Sequence, residues 1–375
     1  MSSDTTLEKK YTFRNSYIKD YSKFKEDLLA KKIIPHQVEF QAPPRGKKIC
    51  WMECPYCYGL SAEDNGDRLS KERGLEILSQ IIQGGVNKII YAGYATDPLN
   101  CEYMDDLLEM TIKNEVIFGF NTKILKVSDR FVKLLDNERL AIGSYMSLSI
   151  DAGSNETYKK IHNIKSSAPI YDRVLNNVTK IGTVRKINKN FDLSAAYLVN
   201  IHSANVDDYE SFINNFIDAG CNLLRFTFPQ PPKDVTTDIG IVPNPDEKKK
   251  YKDQLNKIIL KYKNNECPII IVDADEDHNI YNKPQTLPCY ARYIYPTVGF
   301  DGWLYNCSQS SAPNFRDTAL GDLNKDDFWD LYYNYESENF KGYLSSCTKA
   351  IQCSGCRCDR KEHVVNEQLK KNLIL

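Results

Sequence analysis

Apolar runs alternate with amphipathic segments along most of the chain. Short runs rich in branched and aromatic residues predict six strands, near Val38–Gln41, Lys88–Tyr91, Val116–Phe120, Tyr145–Ile150, Leu193–Asn200 and Leu223–Phe228. Longer segments with apolar residues at helical spacing lie between them. Strands that alternate with helices usually form a parallel sheet, so this order predicts an α/β fold with six β/α units.

Capping residues predict where several helices begin and end. Ser70 precedes a helix over Lys71–Gln83, and Ser128 opens a short helix further along. Gly220 is placed to stop a later one. Other helices are predicted at Met104–Asn114, Ile170–Ile181 and Val206–Ala219.

Composition narrows the class of protein. The chain has 375 residues, 42% of them hydrophobic, and a net charge of −1, so no strongly basic footprint for nucleic acid is present overall. No stretch approaches the roughly eighteen consecutive apolar residues of a membrane span. The polar start, Met1 to Asp4, is unlike a signal peptide. We therefore expect a cytoplasmic protein that binds neither membranes nor nucleic acid.

Three of the twelve cysteines stand close together, in the pattern Cys50-x3-Cys54-x2-Cys57. Thiolates are soft ligands that select zinc or iron–sulfur centres, and no histidine lies nearby to complete a zinc site. Structural zinc sites and electron-transfer [4Fe–4S] clusters are usually closed by four ligands, whereas three leave one metal position open for a small molecule. The alternative is a zinc knuckle or a reduced cysteine loop.

This cysteine motif, with the aromatic Tyr56 before its third cysteine, resembles the signature of radical S-adenosylmethionine (SAM) enzymes. The resemblance implies a [4Fe–4S] cluster held by Cys50, Cys54 and Cys57. In that family the open iron chelates the amine and carboxylate of SAM, and one electron cleaves SAM to a 5′-deoxyadenosyl radical. The family's core fold is a partial (β/α)6 TIM-like barrel, with the site at the carboxyl ends of the strands.

Further motifs at the predicted strand ends resemble the family's SAM-binding loops. The run from Gly93 to Asp97 is similar to the Gly-Gly-Glu-Pro loop that binds the methionyl amine, although Tyr94 and Ala95 stand where a second glycine is usual. The Ser-Ile-Asp-Ala-Gly run after the fourth strand is similar to a Ser-Leu-Asp-Gly motif. The resemblance implies that SAM is bound by Tyr56, Gly93, Asp97, Asn121, Ser149 and Asp151.

Beyond about residue 285, cysteines and turn residues become frequent. Cys289 and Cys307 flank a predicted hairpin made of Tyr293–Thr297 and Trp303–Asn306. The run Gly302-x4-Cys307, followed by Leu-Gly-Asp-Leu at 320–323, resembles the auxiliary-cluster extension called SPASM, or its shortened twitch version. We therefore expect three parts: a helical extension (1–35), a radical SAM partial barrel (36–285) and a small cysteine-rich SPASM/twitch extension (286–375).

The twitch resemblance implies a second, auxiliary [4Fe–4S] cluster. Its expected ligands are Cys289, Cys307, Cys353 and Cys356, with Cys347 and Cys358 as reserves. A zinc ribbon would suit the same spacing, because tetrahedral zinc accepts four thiolates equally well.

The resemblance implies hydrogen-atom abstraction from a substrate, with oxidation, epimerisation or rearrangement as the outcome. Only 49 residues precede Cys50, too few for a complete peptide-recognition domain, so a small metabolite or sugar is favoured over a peptide. An external donor such as flavodoxin or ferredoxin would supply the electron. His202 and Arg225 follow or lie in predicted strands and could bind a polar group. No catalytic residue is assigned, and a non-radical electron-transfer protein is the rival hypothesis.

Overall fold

The computed structural model describes residues 20–46, 50, 52–57, 62–93, 96–203, 205–229, 241–272, 291–308 and 311–334. Strands and helices alternate through most of this range. The strands are β1 Val38–Gln41, β2 Lys88–Ala92, β3 Ile117–Thr122, β4 Ser144–Ser149, β5 Phe191–Leu198, β6 Leu223–Thr227, β7 Ile269–Val272, β8 Thr297–Val298, β9 Trp303–Tyr305 and β10 Gly321–Asp322. The helices are α1 Tyr21–Leu29, α2 Lys71–Gln83, α3 Met104–Lys113, α4 Asp129–Leu135, α5 Asn155–Ile161, α6 Ile170–Ile187, α7 Val206–Asp218, α8 Pro245–Lys261 and α9 Phe328–Tyr332.

All ten strands form one sheet, in the order β10-β9-β8-β1-β2-β3-β4-β5-β6-β7. Neighbours from β1 to β7 are parallel. The predicted α/β fold with six parallel strands is thus confirmed, and β7 adds a seventh that we did not predict. Because parallel strands all end at the same edge of the sheet, the loops after β1 to β6 come together there.

The two faces of the sheet differ in polarity. The outer face packs on helices: Tyr91 of β2 stacks on Phe120 of β3, which meets Phe131 of α4 edge-on. The strand register puts polar or small residues on the opposite, inner face. These inner-face residues include Gln41, Asn121, Ser147, Ser149, Ser194, Ala196 and Arg225. The inner face also carries the apolar residues Ile90, Tyr145 and Leu223, so its polar groups lie between apolar ones.

Most predicted helix ends are confirmed. The Ser70 hydroxyl accepts from the Arg73 amide at 3.2 Å, and Ser128 caps α4 in the same way, at 2.9 Å from the Phe131 amide. Gly220 follows α7 with φ +95°, a conformation in which glycine is not strained. Helix α6 runs six residues beyond its predicted end at Ile181, to Ile187.

The hairpin predicted in the C-terminal region forms, but its first strand is shorter than predicted. Residues Ala291–Tyr293 make a 3₁₀ turn, and only Thr297–Val298 extend, so the prediction that the strand begins at Tyr293 is wrong. Strand β8 pairs with β9 antiparallel and with β1 parallel. Beside this pairing with β1, the Glu39 amide donates to the Pro296 carbonyl at 3.0 Å.

No helix among the described residues is both long enough and apolar enough to cross a membrane.

Candidate active site

The cysteine loop, from Cys50 to Cys57, follows β1 at the carboxyl edge of the sheet, as predicted. The Cys57 amide donates to the Cys54 carbonyl at 3.0 Å, which closes a turn through Pro55 and Tyr56. Cys54 is buried, Cys57 is half-buried and Cys50 is exposed. One short loop therefore presents three thiols at different depths.

Burial decides the protonation of the deepest thiol. It raises the pKa of Cys54 to about 12, with Lys123 opposing the shift and Cys57 adding to it. Since the thiolate is the form that binds metals, burial alone keeps this thiol protonated. A positively charged metal centre would hold it as a thiolate, and binding would release the proton.

Tyr56 connects the cysteine loop to the loop after β4. Its hydroxyl donates to Asp151 Oδ2 at 2.8 Å. The other carboxylate oxygen of Asp151 accepts from the Leu198 amide of β5 at 3.0 Å. Two residues predicted to bind SAM, Tyr56 and Asp151, are thus brought into direct contact, with β5 supporting the carboxylate.

Lys123, just after β3, places its ammonium group in the middle of these contacts. The Nζ atom lies 3.2 Å from Asp151 Oδ2, 3.2 Å from the Ser149 carbonyl, 2.7 Å from His162 Nε2 and 3.3 Å from the Tyr56 hydroxyl. Burial disfavours the charged amine, yet the Asp151 carboxylate raises the pKa of Lys123. Lys123 is therefore a buried cation with one carboxylate partner.

His162, at the end of α5, is the neutral member of this group. Its Nδ1 lies 2.8 Å from the Tyr158 carbonyl, which can only accept, so Nδ1 carries the proton and Nε2 accepts from Lys123. The ring stacks on Tyr158 with centroids 4.2 Å apart. Burial, helped by Lys123, holds the pKa of His162 well below its usual range.

The loop after β2 is built around Gly93 and Asp97. A Cβ on Gly93 would lie 1.9 Å from the Thr96 carbonyl oxygen, so only glycine fits. The Asp97 carboxylate accepts from the Thr122 hydroxyl at 2.7 Å, the Lys123 amide at 2.6 Å and the Leu99 amide at 3.0 Å. These bonds use both carboxylate oxygens, so Asp97 ties this loop to the end of β3.

The remaining predicted SAM-binding residues lie at the same edge of the sheet. Asn121 is exposed near the end of β3. Ser149 ends β4 and takes part through its carbonyl, which accepts from Lys123. Deeper on the inner face, Arg225 Nη2 donates to Ser147 at 2.7 Å. His202 is exposed after β5, and its amide donates to Asn200 Oδ1 at 2.9 Å.

Lys123 and His162 were missed at the sequence level. Lys123 directly follows Asn121 and Thr122, so its place after a strand was a usable signal. His162 lies eleven residues after Asp151 and carries no motif of its own. Only the fold brings it to the site.

A comparison with protein-family models matches residues 47–225 to the radical SAM superfamily. The chain carries a radical SAM domain. The match spans the cysteine loop and the strands from β2 to the first half of β6, which are the parts that build this site. No curated protein matches the chain.

Solved structures resemble the chain over most of its length. SuiB from Streptococcus suis is 14% identical, with 90% of this chain and 75% of that chain covered and a TM-score of 0.57. A second SuiB structure contains its precursor peptide SuiA, at a TM-score of 0.57, 14% identity and coverage of 94% and 80%. The protein anSMEcpe with bound AdoMet is 16% identical, covering 89% of this chain and 95% of that chain, with a TM-score of 0.53. At such identities the likeness concerns the fold.

The residues of the radical SAM domain fit a [4Fe–4S] cluster better than a single metal ion. Among the described residues, no three His, Cys, Asp or Glu side chains converge closely enough to hold one ion. A cubane cluster takes its cysteines on different irons, so its thiolates stand further apart than the ligands of one ion. Three thiols on one loop at the strand ends suit that arrangement.

A buried hydroxyl near the cysteine loop has no hydrogen-bond partner within the described part of the chain. The Tyr158 side chain is fully buried, and its hydroxyl makes no hydrogen bond to any described residue. Burial, together with the negative charges of Asp151 and Asp97, raises the pKa of Tyr158. An unpartnered buried hydroxyl in a polar site is expected where a polar ligand completes the bonding.

The predicted auxiliary-cluster ligands lie mostly outside the described residues. Cys307 follows β9 and is buried, whereas Cys289, Cys347, Cys353, Cys356 and Cys358 are outside the described ranges. The other three described cysteines are buried away from the cysteine loop, at positions 101, 221 and 267.

Proposed function

We propose that this chain is a radical SAM enzyme that cleaves SAM reductively and abstracts a hydrogen atom from a polar substrate. The observation that carries the proposal is the cysteine loop, which presents three thiols at the carboxyl edge of a parallel sheet within a radical SAM domain. When bound there, the cluster supplies the electron that converts SAM to methionine and a 5′-deoxyadenosyl radical.

The protein's own residues would bind and orient SAM. Cys50, Cys54 and Cys57 would hold the cluster, and the carbonyls of the loop that Gly93 and Asp97 shape would accept from the methionyl ammonium. Asn121 offers an exposed amide to the ribose or the methionyl group, and Ser149 lies two positions along β4 from the inner-face Ser147. The helices that pack on the apolar outer face of the sheet would exclude water from that side of the site.

Anaerobic reconstitution tests this function directly. Dithionite-reduced protein should release 5′-deoxyadenosine from SAM, detected by chromatography. Cys54→Ala should abolish that product while iron content falls only in part, because the auxiliary site keeps its iron. Cys101→Ala is a matched control, since this thiol is buried outside the cysteine loop. Product formation by Cys54→Ala would refute the assignment of the open cluster.

The substrate we propose first is a small metabolite or sugar. Polar inner-face residues, with Arg225 and Ser147 joined at 2.7 Å, offer hydrogen bonds to a hydroxylated or anionic molecule. A peptide is the second candidate, because structures of SuiB and anSMEcpe contain a precursor peptide and a Kp18Cys peptide. A compound that raises 5′-deoxyadenosine release above the substrate-free rate would identify the class.

We also propose an auxiliary [4Fe–4S] cluster in a SPASM/twitch extension, held by Cys289, Cys307, Cys353 and Cys356. Buried Cys307, at the end of β9 beside the barrel, supports a ligand in this place. A Cys50/Cys54/Cys57 triple alanine variant removes the first cluster and isolates the second. About four irons per chain would support the auxiliary cluster. Zinc in their place would establish a ribbon instead.

A further inference from the structure

A buried ammonium group stands beside the cysteine loop, and burial of a charge needs a reason. The Lys123 side chain keeps only 19% of its exposure and the Asp151 side chain 6%. Four groups surround the ammonium within 3.3 Å, although it has only three hydrogens to donate. Such desolvation is costly, and a buried ion pair by itself is weak evidence of stabilisation.

The backbone on both sides of this ion pair is held in a strained form. Ile124, which follows Lys123, has φ +51°, and Asp151 has φ +65°. Branched residues such as isoleucine rarely adopt this region. Hydrogen bonds hold both residues: the Asn177 side chain donates to the Ile124 carbonyl at 2.9 Å, and the Leu198 backbone amide donates to the Asp151 carboxylate at 3.0 Å. Strain that the surroundings enforce is typical of functional sites.

We propose that Lys123 is a positioning residue for the iron–sulfur cluster: it anchors the cysteine loop through Tyr56 and Asp151 and keeps a positive charge beside the cluster that raises its reduction potential. The inference rests on the proposed function, since it needs a cluster on Cys50, Cys54 and Cys57.

The direction of the effect follows from charge. When a reductant such as dithionite or a reduced flavodoxin gives up one electron, the cluster gains it and becomes more negative by one charge. A nearby cation stabilises the reduced form more than the oxidised form, so reduction becomes easier. Low effective dielectric in the buried site strengthens this effect.

The other groups around Lys123 do not supply that charge. His162 is neutral, as its contact with the Tyr158 carbonyl shows, and Tyr56 keeps its proton because burial and Asp151 raise its pKa. Asp151 and Asp97 carry the opposite sign. Within the described part of the site, the positive charge at the cysteine loop comes from Lys123.

The proposal is tested by redox titration of the reconstituted full chain in the absence of SAM, with electron paramagnetic resonance as the readout. Lys123→Met should shift the midpoint potential to a more negative value, and Lys123→Arg should restore most of it. Lys126→Met is the matched control: this lysine is exposed three residues further along the same loop and should leave the potential unchanged.

Asp151→Asn separates an electrostatic role from a structural one. An asparagine oxygen can still accept from Tyr56, but the negative charge is gone, so the potential should shift the opposite way, to a less negative value. General damage to the site would shift both variants in one direction. If Lys123→Met does not keep its cluster, the Asp151→Asn shift decides alone.

Two outcomes would overturn the proposal: a wild-type potential in Lys123→Met, and shifts of the same sign in Lys123→Met and Asp151→Asn. A wild-type potential accompanied by a changed SAM dissociation constant would make Lys123 a ligand of SAM instead. Failure of the proposed function is distinct, because wild-type protein would then release no 5′-deoxyadenosine at all.

Discussion

The two carboxylates of the site, Asp151 and Asp97, are hydrogen-bonded to protein groups. Asp151 accepts a hydrogen bond from Tyr56 and forms an ion pair with Lys123. Removal of one member of the ion pair would leave the charge of the other uncompensated, at a cost of roughly 3–5 kcal/mol. Asp97 is satisfied by three protein donors in the same way. Preorganised groups of this kind do not have to reorient during a reaction.

The neutral state of His162 predicts how stability depends on pH. Because the pKa of His162 is far below its usual range in the folded chain, the unfolded chain binds a proton below about pH 6.5 that the folded chain does not. Stability should therefore fall on acidification below that value, by up to about 1.4 kcal/mol per pH unit from this group. Thermal unfolding between pH 7.5 and 5.5 measures the loss.

His162→Gln should be less stable than wild type at pH 7.5, but its stability should fall less than that of wild type on acidification. His202→Gln is the matched control, because His202 is exposed and should leave the wild-type slope in place. An unchanged slope in His162→Gln would show that the folded chain protonates this ring.

At the scale of single elements, local signals in the sequence predicted several helix ends correctly. Ser70, Ser128 and Gly220 mark helix ends that the structure confirms, because capping depends on residues within a few positions of one another. The short apolar run of β7 gave a weaker signal. Ile269–Val272 has only four residues and follows Pro268, so periodicity could not separate it from a loop.

Contacts between elements could not be predicted in the same way. Asp208 of α7 accepts from the Gly153 amide at 2.8 Å and the Tyr197 hydroxyl at 2.6 Å, and so holds the loop that contains Asp151. Nothing local to Asp208 indicates this role, because its partners lie 55 and 11 residues away. The strand-end motifs predicted which loops meet, whereas the partner of each side chain depends on the complete fold.

At the scale of the whole molecule, the C-terminal hairpin supports the segment that follows the cysteine loop. The Leu69 amide donates to the Phe300 carbonyl at 2.9 Å, and the Glu63 amide to Asn314 at 3.2 Å. The pairing of β8 with β1 joins segments more than 250 residues apart. Turn residues from Gly299 to Gly302 predicted the hairpin, but only tertiary pairing shows that it packs beside β1.

Arg316 forms ion pairs with the hairpin and with the segment after the cysteine loop, so its removal should destabilise both. Its guanidinium binds Asp301 at 2.8 Å and Asp67 at 2.6 Å, and it lies 5.0 Å from the centre of the Trp303 ring. Arg316→Ala would leave the buried Asp301 without its cation, at a cost of roughly 2–4 kcal/mol at pH 7, given that Arg316 is partly exposed. Hydrogen exchange should rise in residues 62–69 and 299–305 together.

The loss of stability in Arg316→Ala should also depend on pH, and the direction of this dependence follows from the Asp301 carboxyl. Burial already raises the pKa of this carboxyl above its usual range, and loss of Arg316 removes the main opposing charge. The folded variant therefore favours protonated Asp301, so its stability should recover towards wild type as the pH falls from 7 to 5. Lys325→Ala, which removes the ion pair between an exposed lysine and half-buried Asp322, should leave hydrogen exchange in residues 62–69 unchanged. Faster exchange near residue 316 alone, with 62–69 unaffected, would show that the hairpin does not support the segment after the cysteine loop.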